Sequence, residues 1–260
     1  MRILAISSQV AFGPVGNSSA VPALQAKGHE VLGVPTISLS NHPGLGRPAG
    51  LRAGSAELAA ILIRLEKLGA LESCAAVMTG YFADASQVRK VARLIVRMKK
   101  LNPSLFVLVD PVIGDDGKLY VPQTVAEAIH DALVPLASCL TPNRFELEWL
   151  TGMPVLNRQE AIAAARTLNL PEVLATSIPV DPDRLTTLAV MPKTHEEIVT
   201  ALRGDVPHGT GDFLAGLYLA ERLEHPPSRA LKAAMVILER AIKRSAGSSV
   251  LNVAGALHGS

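Results

Sequence analysis

Hydrophobic residues form short continuous runs along the chain, and these alternate with longer segments in which apolar positions recur every three or four residues. Short runs bounded by polar residues indicate buried strands, and the longer periodic segments indicate amphipathic helices. In residues 86–101, for example, Val88, Val91 and Ile95 share one side and Arg and Lys occupy the other. The predicted strands are residues 2–7, 74–78, 105–109, 137–140, 172–176 and 185–191. The predicted helices are residues 57–68, 86–101, 124–133, 158–168, 212–223 and 228–245.

Alternation of apolar strands with helices predicts an α/β fold, with a mostly parallel central sheet and helices on both faces. Residues 41–55, NHPGLGRPAGLRAGS, are rich in Gly and Pro, but the strand and helix pattern resumes on both sides of them. We therefore expect this segment, called the flap below, to be a mobile excursion rather than a domain boundary. Residues 1–260 are expected to form a single domain.

Composition narrows the class of protein. Hydrophobic residues make up 48% of the 260 residues, and the formal net charge is only +2. A charge this small gives no reason to expect nucleic-acid binding, and no apolar stretch has the length of a membrane span. The two cysteines, Cys74 and Cys139, lie in apolar stretches without metal-ligand spacing. A soluble cytoplasmic protein with reduced thiols is the expectation.

Polar residues follow most of the predicted strands. In an open parallel sheet, ligands bind at the carboxyl ends of the strands, so these side chains are expected to share one cleft. Acids, hydroxyl groups and a glycine turn would then meet there, which suits a phosphate group and a divalent cation. The strand-end residues are Ser7 and Ser8, Thr79 to Tyr81, Asp110, Asp115 and Asp116, Thr141, Asn143 and Glu146, and Thr176 and Ser177.

The segment GTGD, Gly209 to Asp212, stands at the start of an apolar helix. A Gly-Thr-Gly turn exposes backbone N–H groups at a helix N-terminus, which makes a site for an anion. An aspartate beside an anion site is explained if its task is to accept a proton. The alternative is that Asp212 merely caps the helix.

Two further segments carry acids. DPVIGDDGK places Asp110 directly after a buried strand and Asp115 in the turn that follows, and the alternative here is a polar loop without a function. In TPNRFE, Asn143 and Glu146 are three residues apart and would face the same way on a helical turn. Glu146 is a candidate organiser of magnesium through water. Asn143 and Glu146 also fit a capping box, and the two roles are compatible.

Other motifs argue against competing classes. The chain has no G-x-x-x-x-G-K-[ST] phosphate loop, and GLGRPAG at residues 44–50 does not fit the dinucleotide-binding pattern. The seven histidines lack zinc spacing. They are interpreted as surface or structural residues, with His42 the one exception considered.

Taken together, the GTGD and N-x-x-E motifs resemble those of the ribokinase-like superfamily, which includes the PfkB carbohydrate kinases. Within it, SSQVAFGPVGNSSA (residues 7–20), TISLSNHPGLGRPAG (36–50), DPVIGDDGKLYV (110–121) and TPNRFELEWLTG (141–152) resemble the pyridoxal kinases. These segments occur in the family's order. The resemblance implies a ribokinase-like fold and transfer of phosphate from ATP to the 5′-hydroxymethyl group of pyridoxal, in vitamin B6 salvage. It also implies Mg²⁺ with ATP as co-substrate, a monovalent cation as a further candidate, and a homodimer.

The resemblance also implies roles for individual residues. Asp212 would be the catalytic base, and Gly209, Thr210 and Gly211 would form the anion hole. The vitamin would contact Asp212 together with Ser8, His42, Pro43, Gly44 and Tyr81. ATP would contact Asp110, Asp115, Thr141, Glu146, Thr176 and Val199, and Asp110 and Glu146 would organise magnesium mainly through water.

Two departures from the family pattern bear on these roles. Pro43 stands where some members have threonine, and residues 177–205 match the family poorly. A kinase of the same superfamily acting on hydroxymethylpyrimidine or a sugar is the first alternative. A protein that binds a vitamin or nucleotide without catalysis is the second, although such a protein would have no use for Asp212 as a base.

Overall fold

The computed structural model describes residues 1–204 and 206–258. The strands are β1 (Arg2–Phe12), β2 (Glu30–Asn41), β3 (Gly50–Arg52), β4 (Cys74–Thr79), β5 (Phe106–Val109), β6 (Gly114–Asp115), β7 (Lys118–Leu119), β8 (Cys139–Leu140), β9 (Val173–Asp181), β10 (Arg184–Val190) and β11 (His195–Ala201). The helices are α1 (Asn17–Ala26), α2 (Ser55–Lys67), α3 (Ala85–Leu101), α4 (Gln123–Ala128), α5 (Arg144–Thr151), α6 (Arg158–Thr167), α7 (Thr210–Arg222), α8 (Pro227–Arg244) and α9 (Val253–Leu257).

Nine strands form one sheet in the order β11-β10-β9-β8-β5-β4-β1-β2-β3. The six strands from β9 to β2 are parallel to their neighbours, and β3, β10 and β11 pair antiparallel at the two edges. The expected α/β architecture with a mostly parallel sheet is confirmed. Because the six central strands run the same way, their carboxyl ends share one edge of the sheet.

Helices cover both faces of the sheet, as predicted. Along β1 the side chains alternate, so that Leu4 joins the core formed with α2, α3 and α4, and Ile3 joins the core formed with α1, α7 and α8. A third apolar cluster packs α5 and α6 against β9 and β10. Within the described residues, no helix is both long enough and apolar enough to cross a membrane.

In helix α3 the spacing of apolar residues predicts both the extent of the helix and its buried side. Its buried residues include Val88, Val91 and Ile95, and its polar side faces solvent. Asp84 caps the helix by accepting hydrogen bonds from the N–H groups of Ser86 and Gln87, at 2.8 and 2.9 Å. The predicted helix over 86–101 is confirmed with a start one residue earlier.

The region between the first and second predicted elements differs from expectation. The predicted first strand ends at residue 7, whereas β1 continues to Phe12, and the helix α1 that begins at Asn17 was not predicted. Helix α1 contains Pro22 and strand β2 contains Pro35. Proline lowers the local preference for both kinds of element, and tertiary packing overrides it here. The edge strand β11 was also missed, because exposed residues dominate it.

The flap is an excursion from the edge of the sheet. Its first residue ends β2, a 3-10 turn covers Pro43–Leu45, and β3 returns antiparallel to β2. Helix α2 then begins at Ser55, so the chain continues directly into the main fold. The mobility of the flap stays a prediction.

Candidate active site

The GTGD turn forms the first turn of α7. Gly209 precedes the helix with φ +92°, a left-handed conformation that favours glycine, and the helix starts at Thr210 rather than at residue 212. The first bond within the helix joins the Phe213 N–H to the Gly209 carbonyl oxygen, which leaves the N–H groups of Thr210 and Gly211 for a partner outside the helix. Asp212 is the third helical residue, so the alternative that it caps the helix is wrong.

The loop after β1 packs directly on this turn. A Cβ atom at Gly209 would collide with the carbonyl oxygen of Pro14, so glycine is required there for two backbones to approach. The Gly16 N–H lies close enough to the Asp212 carboxylate to lower its pKa, and the Ser19 hydroxyl donates to the Gly209 carbonyl oxygen at 3.1 Å. Sequence reasoning missed Gly16 and Ser19 as site residues, although the glycines at 13 and 16 signalled a close backbone approach.

Ser8 is brought to the same place. It is buried in β1, at the point where the pairing of β1 with β2 shifts register. Gly16 faces it so closely that a Cβ atom on Gly16 would collide with the Ser8 hydroxyl oxygen. Gly16 is thus close to both Ser8 and Asp212, so these two residues lie on one cleft, as expected for the strand-end residues and the GTGD turn.

Tyr81 and the flap border this cleft. The Tyr81 N–H donates to the Ser7 hydroxyl at 3.1 Å, and the Thr36 hydroxyl donates to the Tyr81 carbonyl oxygen at 2.7 Å. Pro43 and Gly44 are exposed in the 3-10 turn of the flap, and the His42 ring contacts the residue that precedes Gly209. The structure thus brings Ser8, His42 and Gly44 close to the GTGD turn, and Tyr81 is bonded to Ser7, the neighbour of Ser8.

Two aspartates from different parts of the chain meet at the carboxyl edge of the sheet. The Asp110 carboxylate is buried after β5 and accepts a hydrogen bond from the Thr141 hydroxyl at 2.9 Å. Burial raises the pKa of Asp110 well above its usual range, and the nearby charges of Asp212 and Glu146 raise it further. Burial likewise raises the pKa of Asp212 to about 6, against the opposing effect of the Gly16 N–H. A carboxylate with such a pKa is suited to accept a proton near neutral pH.

Glu146 serves as a backbone clamp. One carboxylate oxygen accepts from the Asn143 N–H at 2.9 Å while the Asn143 side chain caps the Glu146 N–H, so the expected capping box is confirmed. The other oxygen accepts from the Ile113 N–H at 2.8 Å. Burial raises the pKa of Glu146 to about 7 despite these hydrogen bonds. The clamp ties α5 to the segment that follows Asp110, a link that the sequence did not indicate.

Of three further predicted ATP contacts, two lie in the central sheet and one in a separate hairpin. Asp115 is in the β6–β7 hairpin, where burial raises its pKa. Thr176 is in β9 and its N–H donates to the Pro142 carbonyl oxygen at 2.9 Å, which places it beside the start of α5. Val199 is half-exposed on the edge strand β11, separated from β9 by β10.

The donor set fits a magnesium ion that is held mainly by phosphate and water. Across residues 1–204 and 206–258, no three His, Cys, Asp or Glu side chains converge on a possible metal position. Carboxylate oxygens are nevertheless the ligands that Mg²⁺ prefers, and it commonly binds through one or two of them plus phosphates and water. A cation near Asp110 would also relieve the repulsion among the buried acids.

An aspartate with a pKa raised by burial, in the first turn of a helix at the carboxyl edge of a mostly parallel sheet, is an arrangement suited to small-molecule kinases that lack a phosphate loop. Residues 60–257 match the family model of phosphomethylpyrimidine kinase. The chain is 38% identical to the pyridoxine/pyridoxal/pyridoxamine kinase of Bordetella avium, over 94% of this chain and 81% of that protein. It is 34% identical to the pyridoxal kinase of Rubrobacter xylanophilus, over 95% and 89%.

Solved structures agree with these relatives. The pyridoxal kinase from Leishmania donovani in complex with ADP and pyridoxine superimposes with a TM-score of 0.91 at 31% identity, covering 98% of this chain and 94% of that one. The chain belongs to the pyridoxal kinases of the ribokinase-like superfamily.

Proposed function

We propose that this protein transfers the γ-phosphoryl group of ATP to the 5′-hydroxymethyl group of pyridoxal, giving pyridoxal 5′-phosphate. The observation that carries the proposal is the position of Asp212 in the first turn of α7, close to Gly16, which in turn packs on Ser8. One face of the turn offers N–H groups to an anion, and the carboxylate beside it has a raised pKa. Family membership supports the same reaction, since the relatives are pyridoxal kinases.

Asp212 is the general base of the proposed mechanism. In its ionised form it accepts the proton of the acceptor hydroxyl as that oxygen attacks the γ-phosphorus in line with the leaving ADP oxygen. Charge that develops on the transferred phosphoryl oxygens is stabilised by the N–H groups of Gly209, Thr210 and Gly211 and by the positive end of the α7 dipole. The helix fixes these N–H groups before the substrate arrives, so little free energy is spent on reorienting them in the transition state.

The vitamin is assigned to the side of the cleft formed by β1 and the flap. Ser8 is proposed to hydrogen-bond the pyridine nitrogen, with His42, Pro43 and Gly44 near the polar ring substituents and Tyr81 along the edge. The burial of Ser8 and its proximity to Gly16 support this assignment. Pro43 offers no hydroxyl group or N–H, so its part in binding would be contact alone.

ATP is assigned to the side formed by Asp110, Asp115, Thr141, Glu146, Thr176 and Val199. Magnesium would be held near Asp110 and would screen the charge of the phosphates when bound. The Thr141 hydroxyl orients the Asp110 carboxylate, and Glu146 fixes the backbone beyond it. A monovalent cation is a further candidate cofactor. A cytoplasmic homodimer is part of the same proposal, and the two free, buried cysteines suit a reducing compartment.

The match of residues 60–257 to phosphomethylpyrimidine kinase keeps hydroxymethylpyrimidine as the second candidate acceptor. The experiment that separates the candidates is ATP consumption measured with pyridoxal, pyridoxine, pyridoxamine, hydroxymethylpyrimidine and ribose. We expect the B6 vitamers to be preferred. A higher kcat/KM for the pyrimidine or for ribose would overturn the assignment of pyridoxal, and the Asp212→Asn variant serves as the control for contaminating kinases.

A further inference from the structure

We infer that His208 is a positioning residue that holds the flap over the acceptor end of the cleft by stacking against His42. The two rings have centroids 4.2 Å apart and planes inclined by 32°. His42 belongs to the flap, and His208 directly precedes Gly209 at the anion turn. The contact therefore joins the excursion at the sheet edge to the segment that carries the proposed base.

The backbone of the flap is fitted to this contact. A Cβ atom at Gly44 would lie 2.6 Å from the His208 Nε2 atom, so the flap backbone rests directly on the imidazole. The Gly44 N–H donates to Nδ1 of His42 at 3.1 Å, which fixes the orientation of the His42 ring. Burial, and secondarily the neighbouring His208, lower the pKa of His42, which favours the uncharged ring that stacks best.

Both partners of the stack are attached to the main fold. The His42 N–H donates to the Phe12 carbonyl oxygen at 2.9 Å, at the end of β1. His208 pairs through its backbone with Val250, and the next residue, Gly209, packs on Pro14. A flap held at this point lies beside the loop after β1 and the GTGD turn, since Gly13 packs on His42 and Leu45. Strands β9 and β11, which carry the proposed nucleotide contacts Thr176 and Val199, lie elsewhere in the sheet. The stack should therefore influence binding of the acceptor and leave binding of ATP unchanged.

The first test measures the flap without turnover, by amide hydrogen exchange of residues 42–52 in the free protein. We expect His208→Ala to raise exchange in this segment and His208→Phe, which keeps a flat ring, to leave it near the parent level. The matched control is His130→Ala, a half-exposed histidine whose ring lies against Trp149. Unchanged exchange in His208→Ala, or an equal rise in the Phe variant, would overturn the inference.

The second test is kinetic, and it rests on the proposed function. His208→Ala should raise the KM for pyridoxal about 2- to 10-fold, the effect expected of one aromatic pair, with kcat and the KM for ATP unchanged. His208→Phe should restore the KM. If the chain preferred another acceptor, the exchange result would still stand, so failure of the inference and failure of the proposed function are distinguishable.

A double-variant cycle guards against loss of folding in one variant. His42→Ala removes the other half of the stack and should raise flap exchange by the same amount as His208→Ala. The double variant should add little to either single change, because the contact is already lost. Additive increases would show that the two rings act independently and would overturn the inference.

Discussion

The two ends of helix α7 lie at two groups of carboxylates that differ in how their negative charge is compensated. At its C-terminal end, Tyr218 and Arg222 bind the buried Glu172, with the hydroxyl at 2.6 Å and the guanidinium Nε at 2.8 Å. At its N-terminal end, Asp212 shares the cleft edge with the buried Asp110, and the partners identified there are backbone N–H groups and one hydroxyl. The first carboxylate is neutralised by an opposite charge, whereas the second pair repels.

The difference shows what separates a structural acid from a reactive one in the same fold. Burying a carboxylate costs free energy unless hydrogen bonds and an opposite charge compensate for it. Glu172 has that compensation. At the cleft the compensation is incomplete, so the pKa values of Asp110 and Asp212 are raised, and the site favours a proton or a cation that arrives with substrate.

The largest expected effect comes from Asp212→Asn. Asparagine has nearly the same shape but cannot accept the hydroxyl proton, so kcat should fall about 10²- to 10⁴-fold while pyridoxal still binds. In the parent enzyme kcat should also fall as the pH drops below about 6, because protonated Asp212 is inactive. Turnover and melting temperature are measured on one preparation. Turnover within a few-fold of the parent would contradict the role of Asp212 as base.

Glu146→Gln tests whether the clamp that Glu146 forms between α5 and the segment after Asp110 supports use of the nucleotide. Glutamine keeps one acceptor oxygen but loses either the Asn143 or the Ile113 hydrogen bond. Metal-dependent use of ATP should weaken by roughly 10- to 100-fold, as for other groups that act on a metal indirectly. Activity is titrated against magnesium at fixed ATP, with pyridoxal binding as the control. Identical titrations in variant and parent would show that Glu146 has only the capping role.

Glu172→Gln tests whether the paired acid at the C-terminal end of α7 contributes to stability and not to catalysis. Removing the charge weakens the bond from Arg222 and should lower the free energy of unfolding by about 1–3 kcal/mol. Because the pair lies at the amino ends of β8 and β9, kcat per folded molecule should be unchanged. Urea unfolding gives the stability, and Tyr218→Phe, which removes one neutral donor, is the milder control. A loss of kcat with normal stability would show that Glu172 is not a purely structural acid and would contradict the contrast with Asp212.

Asp110→Asn should have the opposite effect on stability. Unfolded carboxylates titrate near pH 4, whereas in the folded protein the pKa of Asp212 is about 6, that of Glu146 about 7, and that of Asp110 is raised. The folded protein therefore binds more protons between about pH 4 and 7, and stability falls as the pH rises through this range. Asparagine cannot carry the charge, so the variant should have a higher free energy of unfolding than the parent at pH 7.5 and a higher melting temperature. The gain in free energy is about 1.4 kcal/mol for each unit by which the pKa is raised in the folded parent.

This stabilisation should become small at pH 4, where the folded carboxyl is protonated and the unfolded one is about half protonated. Melting curves of Asp110→Asn and the parent at pH 4 and 7.5 measure it. A variant that melts lower than the parent at both pH values would show that the bond from Thr141 outweighs the repulsion.

The smallest effect is expected from Ser8→Ala. Loss of one neutral hydrogen bond to the ring nitrogen is worth about 1 kcal/mol, which corresponds to roughly a 5-fold rise in the KM for pyridoxal. The KM for ATP should be nearly unchanged. Initial rates are measured with each substrate varied in turn. An effect confined to the KM for ATP would show that Ser8 binds the nucleotide and not the vitamin.

Features that depend on neighbouring residues could be predicted from the sequence. The amphipathic spacing of α3, the Asn143–Glu146 capping box and the GTGD turn each involve contacts within a few positions, so the chain pattern indicates them directly. The alternation of apolar strands and helices likewise predicted the mostly parallel sheet. Helix α1 and strand β2 were missed because each contains a proline, and only packing in the sheet and core decides their structure.

The class of fold, the strand-end acids and the turn that carries Asp212 could thus be predicted from the residues alone. Only the folded chain shows that the Gly16 N–H lies near that carboxylate, that Glu146 binds the Ile113 N–H, and that His42 stacks on His208. It also decided that Glu172 is paired while Asp110 is left to repel its neighbour. The reason is physical: local hydrogen bonds follow from the spacing of residues, whereas desolvation and charge repulsion depend on which distant segments the sheet brings together.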